Sequence, residues 1–281
     1  MRGKKSGVAP LPIRDLEHLS VELRRRLITM IYQSGTGHPA GSLSCLDILI
    51  ALYFGGILKY DPKRLEWPER DRFLLSAGHY APALYTVLAQ AGFFPTDDLT
   101  SLRELDSGLQ GHPEKGKLPG VEMTAGMLGQ GLSVGVGLAL AARKERTFTN
   151  YVFVLLSDAE HQEGQIWEAV MSAAKFKLDN LVVIVDRNQI QVDGRTTEIM
   201  PLEPLDNKYS SFGWKVVETD GHEFRRLLTG LHQAKTERKP VVVIADTIAG
   251  KGVSFMKGKA CWHEKTMTET EWQKALGSLK K

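Results

Sequence analysis

YVFVLLSDAEHQEGQIWEAVMSAAKFKLDNLVVIVDRNQIQVDG, residues 151–194, decides the fold. Residues 151–156 and 181–185 are continuous apolar runs rich in β-formers, the pattern of strands buried on both faces. Between them, residues 163–177 place Ile166, Val170, Ala173, Ala174 and Lys177 near helical spacing, which predicts a β-α-β unit with the helix as its crossover. Asp158 and Asn188 then leave the C-terminal ends of two strands, the edge at which open parallel sheets bind ligands. A carboxylate and an amide oxygen are hard donors suited to Mg2+, which keeps octahedral geometry and completes it with phosphate oxygens and water. The pair therefore predicts a metal-diphosphate site. Asp158 alone would read as a loop or cap residue after a strand.

Further out, residues 73–75, 214–217 and 241–245 are short runs of the same kind, and helices are expected over 16–32, from Gly131 onward and over 269–279. This alternation predicts an α/β fold with a mostly parallel sheet and helices on both faces. A chain of 281 residues folds around one substantial core, burying roughly three quarters of its unfolded surface. We expect an N-terminal arm over residues 1–14, mobile through Pro12, and a single domain over 15–281. A 42% apolar and 25% charged composition is ordinary for a globular protein, and a net charge of +3 argues against nucleic acid or a membrane as partner. Lys4-Lys5 and Lys280-Lys281 read as solvated ends. Cys45 and Cys261 are too few for a disulfide framework, no signal peptide is visible, and residues 132–142 are too short to span a bilayer. A cytoplasmic location is the expectation.

Four histidines follow glycines, three of them in Gly37-His38-Pro39, Gly78-His79 and Gly111-His112-Pro113-Glu114. Glycine permits tight turns that present the next side chain, and imidazole donates, accepts or shuttles protons near neutral pH. A lone Gly-His reads as a surface turn, and His222 in Asp220-Gly221-His222 reads as structural because its turn opens a helix.

In order and spacing these segments, from about Leu19 to His263, resemble the transketolases, a family of thiamine diphosphate-dependent enzymes. Glu160, Glu163-Gly164-Gln165, Trp167-Glu168-Ala169 and Asp186-Arg187-Asn188 are similar to the family's extended cofactor motif. The resemblance implies a thiamine diphosphate-binding, PP-type domain. It implies that Asp158, Asn188 and the main-chain carbonyl of Ile190 hold Mg2+, or Ca2+ or Mn2+ in its place. It places His38 by the substrate, His79 on the thiamine cofactor, His112 on the sugar near the reacting carbons, and His263 on both diphosphate and substrate. His38, His112 and His263 are thus the candidate catalytic residues. Cofactor contacts carry over to His79, Gly126, Met127, Leu128, Asp158, Ala159, Glu163, Asn188, Ile190, Ile248 and His263. Residues 247–252 resemble the loop that closes over the cofactor, where Lys251 either pairs with a phosphate or is solvated. The helix after Gly131 either faces phosphate with its N-terminus or is purely structural.

Three departures stand out. Ser157 and Ala159 replace the glycines that usually flank the Asp, Met127 replaces a Pro, and Glu264 replaces the Gly of Trp-His-Gly. Glycine serves where φ is positive or a backbone approaches a ligand, so Ala159 is expected to weaken cofactor binding without abolishing it.

Full-length members of the resembled family carry a second thiamine domain, whose Glu serves the aminopyrimidine, and a third, C-terminal domain. This chain ends after Trp262-His263 and a short helix. We therefore expect the N-terminal subunit of a split transketolase, active only with a separate C-terminal subunit that bears the pyrimidine-binding domain, with the cofactor at their interface. The expected assembly is a heterotetramer of two chains each, moving a two-carbon ketol unit from a phosphorylated ketose to an aldose. The α subunit of a 2-oxo acid dehydrogenase E1 is a second reading, disfavoured by the Gly-His-Pro-Glu loop and the His38 segment. A catalytically silent, partner-binding subunit is a third, motivated by Ser157 and Ala159.

Overall fold

The computed structural model of the protein describes residues 9–144 and 150–279. In chain order its strands are β1 (Arg72–Leu75), β2 (Val152–Ser157), β3 (Leu181–Arg187), β4 (Ile190–Gln191), β5 (Gly194–Arg195), β6 (Lys215–Asp220) and β7 (Val241–Asp246). Five of them form one parallel sheet in the order β1-β2-β3-β7-β6, and β4 pairs antiparallel with β5 in a small hairpin. The helices are α1 (Ile13–Ser34), α2 (Pro39–Phe54), α3 (Ala81–Gln90), α4 (Gln130–Lys144), α5 (Gly164–Lys175), α6 (Thr196–Ile199), α7 (Leu205–Ser211), α8 (Phe224–Ala234) and α9 (Glu269–Ser278). The α/β class read from the sequence is the one observed.

Side chains alternate across the sheet and build one core on each face. Phe153 and Leu155 of β2, with Val182 and Ile184 of β3, pack with residues of α1, α2, α3, α8 and α9. Val152, Val154, Leu156, Val183 and Val185 pack on the other face with α4, α5 and α7. Every β2 residue is buried, which is why the strand reads as an unbroken apolar run. All sixteen residues of α2 are buried too. A helix that is apolar all round has no solvent face.

Several boundaries differ from the expected ones for local reasons. Helix α1 begins at Ile13, inside the stretch expected to be an arm, and the Leu11 N–H donates to Phe54 O (2.8 Å); residues 1–8 lie outside those described. Helix α5 ends at Lys175, and Lys177 takes a positive φ of 50°. The strand expected over 214–217 runs instead from Lys215 to Asp220, because β6 is an edge strand whose far end tolerates polar residues. Trp214 is a core residue beyond it, with its indole N–H on Val170 O (2.9 Å).

Two glycines of α4 make the packing testable. A Cβ on Gly135 would sit 2.5 Å from Val154 Cγ2, whereas one on Gly137 would meet nothing within 4 Å. Gly135→Ala should destabilise the chain by about 1–3 kcal/mol through overpacking, and Gly137→Ala should stabilise it by about 0.5–1 kcal/mol through helix propensity. Urea denaturation checks both, and equal shifts would contradict the α4–β2 contact.

Candidate functional site

The site is assembled where β2, β3 and β7 end. Asp158 follows β2 and is 2% exposed. One carboxylate oxygen accepts the Ala159 N–H (2.8 Å) and the other accepts the Gln189 N–H (2.6 Å), which brings Asp158 against the segment that carries Asn188. Asn188 Oδ1 accepts the Ile190 N–H (2.9 Å). Its Nδ2 donates to Asp186 Oδ2 (2.9 Å), Tyr80 Oη (3.1 Å) and Ser44 Oγ (3.2 Å). An ionised carboxylate only accepts, so Asp186 keeps the amide nitrogen turned inward and the amide oxygen turned out. Asp186 is itself fully buried and accepts from Ser44 Oγ (2.5 Å) and Thr247 Oγ1 (2.5 Å).

The electrostatics of this corner suit a cation. Burial, and after it the Asp186 carboxylate, push the Asp158 pKa up to about 7. Asp158 has only backbone N–H partners, and a buried carboxylate beside a second one gains from an added positive charge. Among the described residues no group of three His, Cys, Asp or Glu is arranged to hold a metal. A cation here would take oxygens from Asp158 and Asn188 and complete its shell from a ligand such as a diphosphate. The residues therefore fit such a group.

A third buried carboxylate, Glu160, lies two residues after Asp158. It accepts from Ser76 Oγ, the Gly129 N–H (2.7 Å) and the Ser157 N–H (3.2 Å), while burial pushes its pKa up to about 7. The Gly129 N–H lies just ahead of α4, so the chain itself places a carboxylate at that helix end. Close approaches join the neighbouring loops. A Cβ on Gly78 would lie 2.8 Å from the Gly126 nitrogen, and Leu128 O accepts from Gln165 Nε2 (3.0 Å).

The histidines read as a set come together. The rings of His38 and His79 are 5.2 Å apart, those of His38 and His263 5.4 Å, those of His79 and His263 5.3 Å, and those of His38 and His112 6.5 Å. Tyr80 links this cluster to the Asp158 corner, because its ring touches His79 and its hydroxyl meets Asn188. Burial, then the charges of His263, Arg103 and His112, lower the His38 pKa to about 4. Burial also lowers His79, His112 and His263. Neutral imidazoles both donate and accept, as contacts to sugar hydroxyls require. His38 Nδ1 is buried without a hydrogen-bond partner, a costly state that a bound group would relieve.

Other residues fall into place around these. Ile190 begins the β4–β5 hairpin, which the sequence reading did not anticipate, and Ile248 lies on the loop after β7. Glu163 and Met127 are exposed, Met127 at 71%. Ser157 and Ala159 are absent from the positive-φ residues, so the feared backbone strain at the Asp158 turn does not arise. Lys251 feels the charges of Asp47, Arg24, Asp220 and Lys257 and lines a cleft with Arg24, Asp47 and His222. Glu264 comes within 3.8 Å of His38 Nε2. His222 stands apart from the histidine cluster, bonded to Asp47. Sequence reading missed Ser44, Ser76, Tyr80 and Arg103; the Arg103 guanidinium bonds Thr36 Oγ1 (2.6 Å) and packs where a Gly111 Cβ would be. Their contacts are long-range and leave no local signal. Asp186 carried one, a charge closing an apolar strand.

Fold and site together define an α/β protein that receives its ligand at the carboxyl ends of a parallel sheet. Over residues 17–279 the chain matches the family described as "Transketolase, thiamine diphosphate binding domain". It is 42% identical over 268 residues to the 6-deoxy-6-sulfo-D-fructose transketolase subunit SqwG of Clostridium sp. (strain MSTE9), a match that covers 95% of this chain and 97% of that relative. It is 40% identical over 267 residues to one chain of the apulose-4-phosphate transketolase of Phocaeicola vulgatus, with 95% and 94% covered. The transketolase of Campylobacter jejuni superposes with a TM-score of 0.90 at 32% identity, over 96% of this chain and 43% of that one. The chain belongs to the transketolase family and comprises its thiamine diphosphate-binding domain, as the sequence resemblance implied. This favours the transketolase reading over the 2-oxo acid dehydrogenase one.

The raised carboxyl pKa has a measurable consequence. Folding lifts Asp158 from an unfolded value near 3.8 to about 7, so its contribution to stability is whole below about pH 4 and is lost as pH rises toward 7. Asp158→Asn removes that dependence. In chelator, the stability of the variant relative to wild type should rise between pH 4 and 7 by up to roughly 1.4 kcal/mol per pH unit. Urea melts across that range check it, and a flat difference would contradict the shift.

Proposed function

We propose that this chain is the diphosphate-binding subunit of a two-chain transketolase, with residues 15–281 as one PP-type domain. Together with a separate C-terminal subunit that carries the pyrimidine-binding domain, two copies of each, it transfers a two-carbon ketol unit from a ketose to an aldose. The observation that carries this reading is the Asp158–Asn188 corner joined through Tyr80 to four neutral histidines. Two relatives of nearly the same length are named as transketolase subunits, one for a sulfonated sugar and one for a phosphorylated sugar. A ketose with a terminal anionic group, such as a sugar phosphate of the pentose phosphate type, is the substrate class we assign. Two free cysteines suit the reducing cytoplasm in which we place the enzyme.

In this reading Asp158, Asn188 and Ile190 O hold Mg2+, or Ca2+ or Mn2+ in its place, and Ala159 and Glu163 border the diphosphate. His79, Gly126, Met127, Leu128 and Ile248 shape the thiamine pocket. Bound thiamine diphosphate supplies a nucleophilic carbon and an electron sink. His38, His112 and His263 orient the sugar and hold or pass its hydroxyl protons. The exposure of His112, Met127 and Glu163 leaves the site open on one side, which suits completion by a second chain. Neither Ser157 nor Ala159 takes a positive φ, which weakens one motive for the silent-subunit alternative.

Reconstitution tests the proposal. The chain alone should show no ketol transfer, and mixing with the partner subunit should produce it; robust turnover by the single chain would overturn the two-chain reading. In the complex, thiamine diphosphate with Mg2+ at a hundred times its Kd should stabilise by about 2.7 kcal/mol, and Asp158→Ala or Asn188→Ala should erase that shift.

The histidines should separate kinetically. His112→Ala should lower kcat/KM tenfold or more, on the order of one lost transition-state contact, with cofactor affinity nearly unchanged. His79→Ala should weaken cofactor binding as well. Negligible effects of both in steady-state and titration measurements would make them turn residues.

A further inference from the structure

We propose that His222 is a positioning residue for cofactor binding, which holds the loop of residues 247–252 through the Ile248 backbone. The inference rests on the proposed reading of that loop as a cofactor contact. His222 Nε2 accepts the Ile248 N–H (2.9 Å) and Nδ1 meets Asp47 Oδ2 (2.8 Å). A backbone amide only donates, so Nε2 is the bare nitrogen and Nδ1 carries the hydrogen that Asp47 accepts. The tautomer is fixed from both sides.

Asp47 is the one carboxylate in the buried helix α2 and is 2% exposed. Arg24 of α1 grips it through two bonds (2.8 and 2.7 Å), and Ser20 Oγ adds a third (2.6 Å). A buried charge is tolerable only when paired in this way, so the group is a rigid anchor. Arg24 Nε also donates to Lys251 O (3.2 Å), so one ion pair reaches both ends of the loop. The middle is tied by the Gly250 N–H to Ala40 O (2.9 Å), two residues from His38. Gly221 completes the fit, since a Cβ there would lie 2.5 Å from Thr247 Cγ2. The His222 side chain is 5% exposed, so bulk solvent is a poor substitute for its acceptor. Without it the Ile248 N–H loses its partner, and that end of the loop keeps only the bonds of Thr247 to Asp186 and Arg187 O.

Two substitutions divide the two bonds. Gln places an amide oxygen near the former Nε2 and keeps an acceptor for Ile248, without a donor at the former Nδ1. Asn keeps a donor toward Asp47 and does not reach Ile248. In the reconstituted complex, titrated with thiamine diphosphate and Mg2+, H222A and H222N should weaken cofactor binding about five- to tenfold, the scale of one lost hydrogen bond. H222Q should stay within about twofold of wild type on the same scale. In the chain without cofactor, exchange of the Ile248 amide should quicken in H222A and H222N and stay slow in H222Q. Rescue by Asn and not by Gln would overturn the proposal, because His222 would then serve Asp47 alone. So would wild-type binding by all three variants in an assay where Asp158→Ala abolishes it. If Asp158→Ala also bound normally, the site reading itself would fail, and the Ile248 exchange rates would still decide the role of His222 in holding the loop.

Discussion

A carboxylate with no access to water must find all its partners inside the protein, and Asp186 does so at the end of the central strand β3. Its oxygens collect a hydroxyl from α2, another from the residue after β7, and the amide of Asn188. Its main-chain carbonyl takes the Asp158 N–H (3.2 Å). Three separate pieces of chain are thereby registered against the one that carries Asp186 and Asn188. An unsatisfied buried carboxylate would cost several kcal/mol, so the arrangement is close to all-or-none. The bond from Asn188 Nδ2 to Asp186 also fixes which way the Asn188 amide is turned.

The same economy of polar groups runs through α2. Among its buried apolar residues, Ser44 turns to Asp186 and Asp47 turns to Arg24 and His222. Three residues apart, they lie near one helix face and serve opposite sides of the site. Burial pushes the Asp47 carboxyl up, but Arg24 and His222 overcome it and hold it well below the ordinary carboxylate range. Asp158 has no guanidinium beside it and is pushed the other way. One carboxylate is built to be permanently charged, the other to await a counter-charge.

How much of this was legible depended on whether the cause was local. Strands β2 and β3 announced themselves because burial on both faces leaves no room for polar residues, and Asp158 and Asn188 were legible because a β-α-β unit spaces its strand ends regularly. β6 was misplaced because apolar Trp214 belongs to the core beyond the strand, while the strand's own end is polar. The β4–β5 hairpin was not legible, since two-residue strands show no periodicity. Three of the histidines were found from Gly-His turns and His263 from Trp262-His263, all through the order and spacing of the resembled family, but their mutual distances come from tertiary structure. Asp47 was overlooked although a lone acid within SCLDILIALYF demands a buried partner. Ala159 was read by analogy with glycine, and its backbone shows that a positive φ is not what this turn requires.

All five strands of the main sheet run the same way. Asp158, Asn188 and Thr247 stand at the carboxyl ends of β2, β3 and β7, and the turns that lead into these strands lie at the opposite edge. The turn before β3, around Asp179, is exposed and stands a full strand length from Asn188, roughly 20 Å at 3.3 Å per residue. A fluorophore or a tether to a solid support placed there would report on the protein or immobilise it with the carboxyl edge of the sheet left free.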